Sequence, residues 1–118
     1  MKPIFICYKR CSTCRDAMKF LDNNNIAYDY RDIMSDNPNA NELRKWIGQS
    51  EFPIKKFFNT RGVLYREMNL KDKLDDLSDE EAIELLSTDG RLLKRPLLIS
   101  QEGIFVGYHK ELYETLIP

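Results

Sequence analysis

The chain has 118 residues, 42% of them hydrophobic and 31% charged, with a formal net charge of −1. That balance suits one soluble globular domain with a core of its own. It excludes the clustered basic face of a direct nucleic-acid binder, and no apolar run approaches the roughly 20 residues that cross a bilayer.

The opening MKPIFICYKR is apolar over too short a stretch, with charge too soon after it, to be a signal peptide. A cytoplasmic location is therefore expected, with neither a membrane nor a nucleic acid as direct partner. Ile4 to Tyr8 reads as a buried strand and KRCST as the polar turn after it. From Ser12 to Asn23 the apolar residues Cys14, Ala17, Met18 and Leu21 fall at helical spacing, and the asparagines at 23–25 end the helix. Ile26 to Ile33 alternates and predicts a second strand, parallel to the first through a right-handed crossover.

A loop leads to a helix expected over 39–47, with Leu43, Trp46 and Ile47 facing inward. PIKKFFN is expected to be a short helical piece opened by Pro53. VLYREMNL and DEEAIELL read as further helices. The second is announced by a capping box of Ser78 and Glu81, so the acidic stretch before it is a solvated helix start rather than a metal site. After Gly90 the pattern changes. PLLIS (96–100) and IFVGY (104–108) form a hairpin through QEG, and a last helix carries Leu112, Tyr113 and Leu116. The order is βαβ, helices, ββ, α. It predicts one α/β domain over 1–118 with a mixed four-stranded sheet.

All three cysteines lie in CYKRCSTC, residues 7–14. In the expected compartment, clustered cysteines are redox or metal groups more often than structural disulfides, and an odd count argues against a disulfide framework. C-x3-C-x2-C has the spacing of a radical S-adenosylmethionine cluster motif. That chemistry needs a much larger barrel, Thr13 stands where an aromatic is usual, and Cys7 falls inside the strand run. Zinc lacks a second C-x2-C, with His109 far off and alone, so no metal is expected. Cys7 is expected to fill core space, a strand end away from the helix tip.

The pair Cys11 and Cys14 remains, at the junction of strand and helix, a specific redox signal. The thiolate is the nucleophile. Cys11 at the helix N-cap meets unpaired N–H groups and the positive end of the dipole, and Lys9, Arg10 and Arg15 add positive charge; all favour an anion there. Cys14, one turn in on the apolar face, is the resolving thiol. Pro96, opening a strand near this turn, resembles the cis-proline of thioredoxin-like folds; a trans proline at an edge strand is the simpler reading without CSTC. Arg95 beside it would direct a donor-rich cation at Cys11 or at an oxyanion bound there.

YKRCSTCRDAMKFL, FFNTRGVLYREMNL and GRLLKRPLLI with GIFVGY, in this order, resemble the arsenate reductase-like ArsC/Spx family along essentially the whole chain. The resemblance implies a thioredoxin-like fold with a helical insertion over about 35–90. Glutaredoxin-coupled arsenate reductases of the family use one cysteine, here Cys11, and three arginines. Arg95 matches one of these; the others fall on Asn59, with Arg61 two residues on, and on Tyr108. The Spx-type branch has the C-x2-C, a T-R pair matched by Thr60 and Arg61, and the R-P matched by Arg95 and Pro96. Its regulators sense oxidants and bind the RNA polymerase α subunit. The functions implied are thiol–disulfide oxidoreductase, redox-sensing regulator, or arsenate reductase. Glutathione, glutaredoxin or thioredoxin would be the reductant, with no bound cofactor, and a disulfide the substrate.

Overall fold

Strand β1 (Ile4–Cys7) is the hub of the sheet in the computed structural model, which describes residues 2–118. Met1, the first residue of the expected domain, lies outside the described residues. Helix α1 (Ser12–Asn23) carries the chain over to β2 (Asp29–Asp32), which pairs parallel with β1 from Ile4 opposite Asp29 to Cys7 opposite Asp32. On the other side β3 (Leu97–Ile99) runs antiparallel to β1, and β4 (Ile104–Val106) antiparallel to β3. The order β2-β1-β3-β4 is the mixed four-stranded sheet of a thioredoxin-like fold.

Side chains on successive strand residues point to opposite faces, and both faces are covered. Ile6, Leu97, Ile99, Ile104 and Val106 join one core cluster with Leu43, Trp46, Phe57, Phe58 and Leu86. Phe5, Cys7, Leu98 and Phe105 face the other way, onto Cys14, Ala17 and Leu21 of α1 and Tyr113 of α6 (Lys110–Glu114). Buried on both sides, these strands read as continuous apolar runs.

The stretch between β2 and β3 is helical: α2 (Ala40–Gln49), α3 (Val63–Glu67), α4 (Leu70–Lys73) and α5 (Asp79–Ser87), with short 3-10 turns at Ile54–Phe57, Leu74–Asp76 and Gly90–Leu92. Asn39 caps α2 in a capping box with Glu42, and Ser78 caps α5 with Glu81 as its sequence predicts. Glu42 also takes both guanidinium nitrogens of Arg31, at 2.7 and 2.8 Å, which ties α2 to β2. The stretch closes on itself. Asn37 Nδ2 donates to the Ser87 carbonyl at 2.7 Å, and a Cβ on Gly90 would lie 1.9 Å from the Ile33 carbonyl oxygen, so only glycine fits there.

Three expectations are corrected. The second strand is Asp29–Asp32 rather than 26–33, because β1 offers only four residues to pair; Ile26 and Tyr28 pack against the α1 face instead. VLYREMNL is not one helix. Asn69 takes a left-handed conformation, φ 54°, and separates α3 from α4. PIKKFFN narrows to a single 3-10 turn with Pro53 just before it.

Candidate active site

The cysteines meet where β1 gives way to α1. The Cys11 N–H donates to the Tyr8 carbonyl at 2.9 Å, a tight turn that folds the helix start back onto the strand end. Cys11 is the N-cap of α1, in extended conformation, and its side chain makes no capping hydrogen bond. The thiol is thus half-exposed at the helix start, where the first-turn N–H groups lack intrahelical partners. Cys14, one turn later, is fully buried.

The Cys14 sulfur accepts a hydrogen bond from the Tyr8 N–H at 3.3 Å. Its thiol interacts with those of both Cys7 and Cys11. Cys7 was expected to fill space away from the helix tip. It is buried as expected, but the tight turn sets it beside Cys14. The contact with Cys7, and then burial, hold the Cys14 thiol well above its ordinary range. Cys7 moves the other way: the Cys14 thiol, and more weakly the Tyr30 hydroxyl, favour its anion against the penalty of burial. Sequence spacing alone hides this, since the contact depends on how the turn doubles back.

The cations are distributed around this centre. Arg15 Nη1 reaches the Lys9 carbonyl at 3.3 Å, holding the turn; Arg10 is exposed beside it. Lys9 lies over the Tyr30 ring at 5.0 Å. Arg95 is half-buried, with its guanidinium over the Tyr8 ring at 5.5 Å, so it stands at the thiol turn. The Arg95–Pro96 bond is cis, and the buried Pro96 accepts the Gly107 N–H at 2.8 Å. Arg61 is exposed ahead of α3 and has no hydrogen bond or ion pair to the thiol turn among the described residues. Asn59 bonds back to the Leu92 carbonyl at 2.7 Å, and Tyr108 packs on Tyr113.

His109 is elsewhere. It stacks on Phe52, and both line a cavity of about 310 Å³ together with Lys55, Lys56 and Lys94. Among the described residues no group of His, Cys, Asp and Glu is arranged to hold a metal ion, and no helix is long and apolar enough to cross a membrane.

The comparisons with known proteins agree with this architecture. The chain is 46% identical to the solved structure of a possible arsenate reductase from Streptococcus mutans UA159, with a TM-score of 0.88 and coverage of 97% and 96% of the two chains. It is 40% identical to the uncharacterized protein YusI of Bacillus subtilis, over 97% of both. It is 31% identical to the global transcriptional regulator Spx 2 of Oceanobacillus iheyensis, over 92% of this chain and 78% of that one. The family model of ArsC matches residues 7–116, a span that runs from the first cysteine to the last helix and takes in every group just described. The chain belongs to the ArsC family.

Proposed function

We propose that the protein is a cytoplasmic thiol–disulfide oxidoreductase, one domain whose helical insertion covers the sheet and leaves the cysteine turn open. The observation that carries this reading is the division between Cys11, half-exposed at a helix N-cap, and Cys14, buried one turn behind it and in contact with it. The Cys11 thiolate attacks one sulfur of a substrate disulfide, forms a mixed disulfide and expels the first thiolate. The Cys14 thiol loses its proton and attacks Cys11 Sγ; the Cys11–Cys14 disulfide forms and the second substrate thiolate leaves. A thiol reductant such as glutathione, glutaredoxin or thioredoxin reverses the oxidation.

Arg95, fixed over Tyr8, supplies positive potential to the thiolate or to a bound anion, with Arg10 and Arg15 assisting. Pro96 shapes the opposite wall, and Arg61 extends the positive field. A second reading is favoured by the likeness to the Spx 2 regulator and the Thr60–Arg61 pair. On it, the same thiols form a redox switch on a protein that binds the RNA polymerase α subunit. A third, arsenate reduction by Cys11 with glutathione or glutaredoxin, is supported by the likeness to the Streptococcus protein.

Turnover of a small disulfide by the wild type, Cys11→Ser and Cys14→Ser separates them. The oxidoreductase reading expects turnover to fall to background in Cys11→Ser, and Cys14→Ser to accumulate the mixed disulfide. Arsenate reduction that survives Cys14→Ser and needs glutathione would favour the third reading. Absence of any turnover, with oxidation altering binding to the α subunit, would favour the second.

A further inference from the structure

We infer that Cys7 is a third redox thiol, which takes over the disulfide from Cys11 and stores it in the core as Cys7–Cys14. The inference rests on the reading of Cys11 and Cys14 as a redox pair.

The three cysteines share one cluster, with Cys7 and Cys14 fully buried in it and Cys11 packed against it. Cys14 has a thiol neighbour on either side, Cys7 and Cys11. The middle position is the one an exchange needs, because the sulfur attacked must be reachable from both sides. The Tyr8 N–H, 3.3 Å from Cys14 Sγ, holds that sulfur in place. At the far end Cys7 has polar company that a space-filling cysteine does not need: the Cys14 thiol and the Tyr30 hydroxyl. Tyr30 lies on edge strand β2, is 37% exposed and has Lys9 over its ring, so it links Cys7 to the surface. The downward shift of the Cys7 thiol and the upward shift of Cys14 fit these roles, attacker and attacked.

The step balances internally. In the Cys11–Cys14 disulfide, Cys7 gives up its proton and its thiolate attacks Cys14 Sγ. The Cys7–Cys14 bond forms, the Cys11–Cys14 bond breaks, and the electron pair departs with Cys11 Sγ, which takes up a proton from solvent. No electrons enter or leave, so no further oxidant is required. The outcome is a protein that has absorbed two oxidising equivalents and again displays a reduced Cys11. Both ends of the new bond are fully buried, so a reductant reaches it only by the reverse exchange, through Cys11.

Trypsin reads the bond directly. Cleavage after Lys9, Arg10 and Arg15 leaves Cys7 on fragment 1–9, and both Cys11 and Cys14 on fragment 11–15. Reduced wild-type protein is treated with one equivalent of a small disulfide, quenched in acid at intervals and alkylated. The monomer is then digested without reduction. The expected product is a 1–9/11–15 cross-linked pair alkylated on Cys11, growing as the internal 11–15 disulfide declines. Cys7→Ala, checked for folding by circular dichroism, should lose the pair and leave Cys11 locked. A wild type that keeps the internal 11–15 disulfide with Cys7 fully alkylatable overturns the inference and leaves the oxidoreductase reading intact. Absence of either disulfide overturns both.

Discussion

The two faces of the sheet are built for different purposes. The face under the helical stretch is a broad core of Leu, Ile and aromatic side chains, including the fully buried Phe57, Leu86 and Leu92. The face under α1 and α6 is smaller, and gives two of its buried positions to thiols and another to Tyr113, whose hydroxyl has no hydrogen-bond partner among the described residues. One face maximises apolar burial. The other carries polarizable sulfur and an unpaired hydroxyl in its interior, and burying that hydroxyl without a partner costs stability.

The contrast can be broken at graded points. The largest expected effect is on the apolar face: Phe57→Ala should lower unfolding free energy by about 3–5 kcal/mol in denaturant titration, since the ring is fully buried between the 3-10 turn and the sheet. A loss below about 1 kcal/mol would show that this face can collapse and does not dominate stability. Next is Glu42→Gln, which removes the charge that pairs with Arg31 at the junction of sheet and helices; about 1–2 kcal/mol is expected at neutral pH.

The pH dependence of that loss has a fixed sign. The Arg31 guanidinium holds the Glu42 carboxyl below its ordinary range. Its contribution is therefore complete above the unfolded carboxylate value near ~4.3 and disappears as pH falls through the lower folded value. The gap between wild type and Glu42→Gln should close in unfolding curves taken at progressively lower pH. A gap that persists in acid would mean that the side chain acts by packing. The smallest effect belongs to the thiol face. Tyr113→Phe deletes a buried hydroxyl that lacks a partner, and should leave the melting transition unchanged or raise stability by up to about 1 kcal/mol. A clear destabilisation would mean that the hydroxyl serves the sulfur cluster.

Much of this was legible in the sequence, and the reasons are local. The β1–α1 junction follows from an apolar run broken by KRCST, α5 from S-x-x-E, and the hairpin from two apolar runs around QEG. The same rule reads N-x-x-E at Asn39, a cap that the helix pattern alone passes over. The break at Asn69 has its signal in asparagine's tolerance of the left-handed region, which a helical apolar pattern outweighs on inspection. Placing Cys11 at the N-cap and Cys14 in the core needed only helical periodicity. The contact between Cys7 and Cys14 needed the path of the turn. The seat of Arg95 on Tyr8 needed β3 to be docked beside β1. Neither is encoded in spacing.

The closure of the helical stretch at Asn37–Ser87 and Ile33–Gly90 has a wider meaning. To the sheet, some sixty residues enter and leave as though through a single doorway, and the entropic toll of a longer or shorter passage between fixed ends rises only slowly with its length. Lineages could therefore re-carve the outer surface of those helices, and with it whatever that surface meets, while the strands that cradle the sulfur atoms stay where they are.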